Sequence, residues 1–189
     1  MAPMASSEHQ FSHLATLSRA AGIGLVLVVV AGCGLIGSKQ PQYDCPTTAG
    51  VGDATVQSKF LPGPGRDLTD VRYQVRLVDV QSECRYDSKG VDVRIRAGFA
   101  LELGPANPDR KAVYEFFVAI TDPNDEIVAK RNFTTPLEFP ANVGYLEHLE
   151  EIQPRIPLPK GGSAADYKII LGLQLTEDEL EYNRKYEKR

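Results

Sequence analysis

The side chains with most scope for chemistry in this 189-residue chain are three cysteines, three histidines and a scatter of carboxylates. Only one histidine, His148, follows Cys33. A Ser-His-Asp or Cys-His site beyond Cys33 would have to use it, and a zinc site wants several His or Cys ligands. His148 sits in the charged stretch LEHLEE, where a lone histidine reads as solvated. Asp122 to Glu126 has a calcium-loop flavour, but Ile127 stands where an EF-hand needs glycine. A hairpin turn is the better account. Glu150 and Glu151 are neighbours and point to opposite sides if their segment is a strand, which makes them poor partners for glycosidase chemistry. LPGPGR, residues 61–66, lacks the Lys-Ser/Thr of a phosphate loop. The expectation is no catalytic residue, no metal, no cofactor and no enzyme.

Cys33 offers different chemistry, because a thiolate is a strong nucleophile. It ends a run of thirteen uncharged residues, AAGIGLVLVVVAG. A spanning helix needs roughly 20 apolar residues, whereas a secretory signal peptide uses about 7–15. Val30-Ala31-Gly32-Cys33 resembles the lipobox of bacterial lipoproteins. That resemblance covers the first 33 residues and implies a signal peptide over 1–32, cleavage before Cys33, and acylation (palmitate among the chains) on the Cys33 sulfur and new amine. Two or more acyl chains give stable anchoring, where one gives only reversible binding. Gly34 replaces the Asp that favours inner-membrane retention in enteric-type lipoproteins, so the implied address is the outer membrane, facing the periplasm. The alternative is an ordinary signal or small membrane helix with an incidental cysteine.

With Cys33 spent on lipid, Cys45 and Cys84 remain, an even pair in an exported chain, and read as a disulfide. The loop it closes is worth about 4 kcal/mol of chain entropy. Two separate buried thiols are the alternative. Residues 33–50 read as a lipidated tether rich in Gly, Pro, Ser and Thr, pinned at its far end by Cys45.

The elements that must position these groups repeat every two residues. Val91, Val93, Ile95, Ala97, Phe99, Leu101 and Leu103 share one face of a half-buried strand. The preceding run changes phase between Leu77 and Val80, which calls for a bulge or bend. Asp87 to Gly90 closes a hairpin that puts Tyr86 opposite Val91, Cys84 opposite Val93, Arg85 opposite Asp92 and Glu83 opposite Arg94. Residues 113–120 are apolar on both faces and suit a central strand around an Asp122–Asp125 turn. Pro154 and Pro157 confine Ile152 to Leu158 to an edge or a bulged strand. Thr176 and Glu179 form a capping box for a charged helix over 177–189, with Leu180 as its docking residue.

Tyr167, entering the last strand after SAAD, resembles the tyrosine corner of Greek-key sandwiches, where the hydroxyl bonds back to upstream backbone. Residues 51–176 are therefore expected to be mainly β: a single antiparallel Greek-key-type β-sandwich of about seven strands, immunoglobulin-like or fibronectin-like. Similar single-domain envelope lipoproteins of uncharacterised role occur in proteobacteria.

A net charge of −4 with no basic block gives no footprint for nucleic acid. The functional expectation is a non-catalytic, lipid-anchored envelope protein acting as assembly factor, scaffold or interaction module. Its partners would be the membrane, through Cys33, and an envelope protein. The alternative is a small-molecule or lipid carrier, with Tyr114, Phe116, Phe117, Phe133 and Phe139 as candidate pocket linings and plain core as their simpler role.

Overall fold

The alternation over 71–103 becomes one long hairpin in the computed structural model, which describes residues 43–186. Strand β3 (Val71–Asp87) pairs antiparallel with β4 (Gly90–Leu103). The register is the expected one, Tyr86 against Val91, Cys84 against Val93, Arg85 against Asp92 and Glu83 against Arg94. The register shifts between Leu77 and Asp79, where the sequence changes phase. Tyr73, Val75 and Leu77 face the core before the bulge, and Val80, Cys84 and Tyr86 after it. Val78 is left outside, 56% exposed. The turn is tighter than a four-residue connection, because Asp87 and Gly90 themselves pair. Gly90 holds φ at 149°, and a Cβ there would stand 2.2 Å from the Ile156 carbonyl oxygen, so a side chain is excluded twice over.

Two sheets form. One is ordered β1 (Thr47–Gly50), β9 (Lys168–Leu173), β5 (Lys111–Thr121), β6 (Ile127–Glu138). The other is ordered β2 (Val56–Phe60), β3, β4, β7 (Tyr145–Ile152), with β8 (Arg155–Pro157) continuing the β7 edge along β4. The apolar β5 is central, as its two-faced sequence requires. Pro154 breaks the edge between β7 and β8. The two sheets share one core: Val75, Val93, Ile95, Phe99 and Leu101 come from one, and Tyr114, Phe116, Ile169, Leu171 and Leu173 from the other. Phe99 meets Tyr114 at 4.8 Å and Phe116 at 5.1 Å between ring centroids.

Three expectations change. The described residues hold nine strands, not about seven. The pairing is not wholly antiparallel, since β1 runs parallel to β9. Finally, Thr47–Gly50 belongs to a sheet and not to a tether reaching residue 50.

The C-terminal helix α1 (Glu177–Tyr186) begins with the expected capping box: Thr176 N–H donates to Glu179 Oε2 (2.9 Å) and Glu179 N–H to Thr176 Oγ1 (3.3 Å). Its docking is polar rather than centred on the half-buried Leu180. Asn183 is the buried helical residue and donates to the carbonyls of Asp53 (3.0 Å) and Val56 (2.6 Å). Lys59 pairs with Glu179 at 2.5 Å, and Tyr182 lies edge-on to Phe60. The helix therefore covers β2, the outer strand of its sheet.

Candidate interaction site

Among the described residues, the sheet edges opposite β1 and β2 have no further element beside them. There β6 borders one sheet, and β7 with β8 borders the other. Alternation along β6 is set by its register with β5: Ala129, Arg131, Phe133, Thr135 and Leu137 lie against Ile120, Val118, Phe116, Tyr114 and Ala112. These β5 residues are the buried ones, so the same β6 residues face the second sheet. Along β7, Leu146, His148, Glu150 and Ile152 lie against Leu101, Phe99, Ala97 and Ile95, again the inward set.

Half of this open side is closed by polar contacts. Thr135 Oγ1 donates to Glu150 Oε1 at 2.5 Å, joining β6 to β7 across the gap between sheets. The Tyr114 hydroxyl reaches the same oxygen at 3.5 Å, and His148 Nε2 lies 3.2 Å from it. Burial, and then the Glu150 carboxylate, push the Tyr114 hydroxyl well above its ordinary 10.0, so it stays a donor. His148 is thus not simply solvated but turned inward beside a carboxylate. Glu151 points the other way, toward Arg94 (3.5 Å) and Arg96 (3.8 Å) on the outer face, as the two-residue period requires.

Beyond Thr135 the sheets stay apart. A cleft of about 490 Å³ opens between β6 and the β7–β8 corner. Val118, Ile120, Phe133 and Ile152 supply its apolar floor, and Arg131 and Arg155 stand at its mouth. Arg155 is engaged, holding Asp87 at 2.8 Å and Asp92 at 2.6 Å. Its guanidinium, with the Lys89 N–H, lowers the Asp87 carboxyl below its ordinary 3.8. Asp92 and Arg94 therefore take partners from the neighbouring edge rather than Arg85 and Glu83 across the hairpin. The Arg131 side chain makes no ion pair or hydrogen bond among the described residues. Ile127 and Val128, at the start of the same strand, are 61% and 56% exposed.

The remaining sequence candidates distribute as follows. Cys45 and Cys84 form a disulfide, with Cα atoms 5.7 Å apart. Cys33 lies outside the described residues. Tyr167 packs its ring against the core, and its N–H donates to the Ala164 carbonyl at 3.0 Å. Its hydroxyl finds no hydrogen bond among the described residues, so the tyrosine corner is not made there. Tyr86 does comparable work: it donates to the Asp44 carbonyl (2.8 Å) and accepts from Ala164 N–H (3.0 Å), clasping the chain's entry to the approach of β9. The reason is reach, because Tyr86 projects inward beside the disulfide where both segments pass. Asp122 forms the expected turn, its Oδ1 accepting from the N–H groups of Asn124 and Glu126, each at 2.9 Å. Of the candidate pocket aromatics, Tyr114, Phe116 and Phe139 are core, while Phe133 alone reaches the cleft. Phe117 faces outward beneath Lys130, 4.5 Å from its ring.

No protein-family model and no curated protein matches this chain.

Proposed function

We propose that this chain is a non-catalytic, lipid-anchored protein of the cell envelope that serves as an interaction module, an assembly factor or scaffold. On this reading Cys33 carries the lipid after a signal peptide over 1–32, and the body is a Greek-key-type β-sandwich held at the periplasmic face of the outer membrane. The lipobox-like Val30-Ala31-Gly32-Cys33 supports the anchor. The disulfide suits an oxidising compartment. Two sheets around a shared core support the sandwich.

The single observation that carries the interaction role is the β6 edge, which no other strand pairs among the described residues. An edge strand displays unpaired N–H and C=O groups, and partners add to such edges as an extra strand. From Ile127 to Thr135 this edge runs without proline, and Pro136 follows. The side chains that could have suggested catalysis, Tyr114, Glu150 and His148, are spent on joining the two sheets.

The cleft favours a second reading, a carrier of a small apolar ligand. Its volume lies in the range of ligand pockets. Against it, the interior between the sheets is filled by the aromatic core, and the cleft is open to solvent along β6. The test is crosslinking of intact cells, detergent extraction, affinity purification and mass spectrometry. A recurrent protein partner supports the module. A co-purifying lipid or metabolite without a protein supports the carrier.

A further inference from the structure

We propose that the β6 edge accepts an extended partner segment as an added strand, and that Arg131 makes it demand an acidic side chain in that segment. The inference rests on the interaction reading above and names what the edge selects. An added strand continues the two-residue period of its neighbour. Its inward side chains would lie beside Ala129, Arg131 and Phe133, over the cleft between β6 and the β7–β8 corner. Residues beside Ala129 and Phe133 would meet the apolar floor of Val118, Ile120 and Ile152. The residue between them would face the guanidinium of Arg131. The selected pattern is apolar-x-acidic-x-apolar.

Arg131 is suited to selection because no other described side chain engages it. Its side chain has no ion pair or hydrogen bond among the described residues, and Glu151, the carboxylate that also lines the cleft, is paired with Arg94 and Arg96 instead. An inward-pointing charge on an edge strand repels an apolar strand that would bury it unpaired. It also disfavours a second copy of this chain. Two β6 strands paired antiparallel about Lys130 would oppose lysine to lysine and set the two Arg131 side chains diagonally across the pair. A segment carrying a carboxylate at the matching position turns that penalty into a charge-assisted hydrogen bond.

The test uses the full-length chain and a capped decapeptide, TVTVTETVTV, whose valines and glutamate share one face. Controls are TVTVTKTVTV and decanoate. Amide hydrogen exchange and NMR shifts report binding at residues 127–135. The glutamate peptide is expected to protect these amides. Arg131→Glu should weaken it at least tenfold and reverse the preference toward the lysine peptide. Circular dichroism and thermal melting confirm that the exposed substitution leaves the fold intact. Equal binding of both peptides by both chains would overturn the acid requirement. Shifts at Ala129 and Phe133 with decanoate but with neither peptide would overturn strand addition and make the cleft an amphiphile site. If cellular partners still co-purify with Arg131→Glu, the selection is wrong while the interaction reading stands. If the parent chain itself has no protein partner in cells, both fail.

Discussion

Glu150 is the residue on which the two sheet edges meet. One carboxylate oxygen takes the Thr135 hydroxyl and lies within reach of Tyr114 and His148, so several polar groups near the core are satisfied together. Replacing Thr135 with Val keeps the shape and removes the shortest of these bonds. We expect a loss of about 1–2 kcal/mol in urea unfolding, with faster hydrogen exchange in β6 and β7 than in β3. Arg155 acts similarly at the other end of the same edge. Because its partner Asp87 has a lowered pKa in the folded chain, the contribution is present above the ordinary carboxylate value of 3.8. It is lost as pH falls through the lower folded value. Arg155→Ala should therefore lower stability in urea unfolding at pH 7, with the difference from the parent chain shrinking as pH falls below the ordinary carboxylate range. Cys33→Ser should leave an uncleaved or unanchored protein, checked by fractionation and mass spectrometry of the N-terminus. None of the Glu150 contacts was legible in the sequence. His148 and Glu150 are charged-type residues at inward positions, so they masked the apolar alternation that would have shown where they point.

The elements were legible where burial and period agree. The β3–β4 register and its bulge follow from inward apolar residues on both strands and a turn that fixes their offset. Gly90→Ala should be strongly destabilising, because the positive φ and the Ile156 carbonyl both exclude a side chain, and a drop of about 1–3 kcal/mol in stability is the expected result. The elements that escaped are those with polar inward faces. β2 buries Gln57 and Ser58, β7 turns His148 and Glu150 inward, and β1 is four residues of Thr, Ala and Gly. The same reason hid the helix anchor: Asn183 is held by two backbone carbonyls, which no hydrophobic pattern announces.

At the scale of the described domain, the two sheet borders differ: β2 carries a helix, and β6 has no further element beside it among the described residues. The helix covers β2, and the disulfide with Tyr86 fastens the chain's entry to the body. Breaking the disulfide with Cys45→Ala and Cys84→Ala should cost about 2–5 kcal/mol in thermal or urea unfolding. A lipid on Cys33 would place the anchor a dozen residues before that staple. The measurement that bears most directly on this account places a photoreactive amino acid at Val128 on the β6 edge, and separately at Gln81 on the outer face of β3, in living cells. A discrete protein adduct from Val128 and none from Gln81 is the expected result. Adducts of equal yield from both positions, or none from Val128, would contradict it.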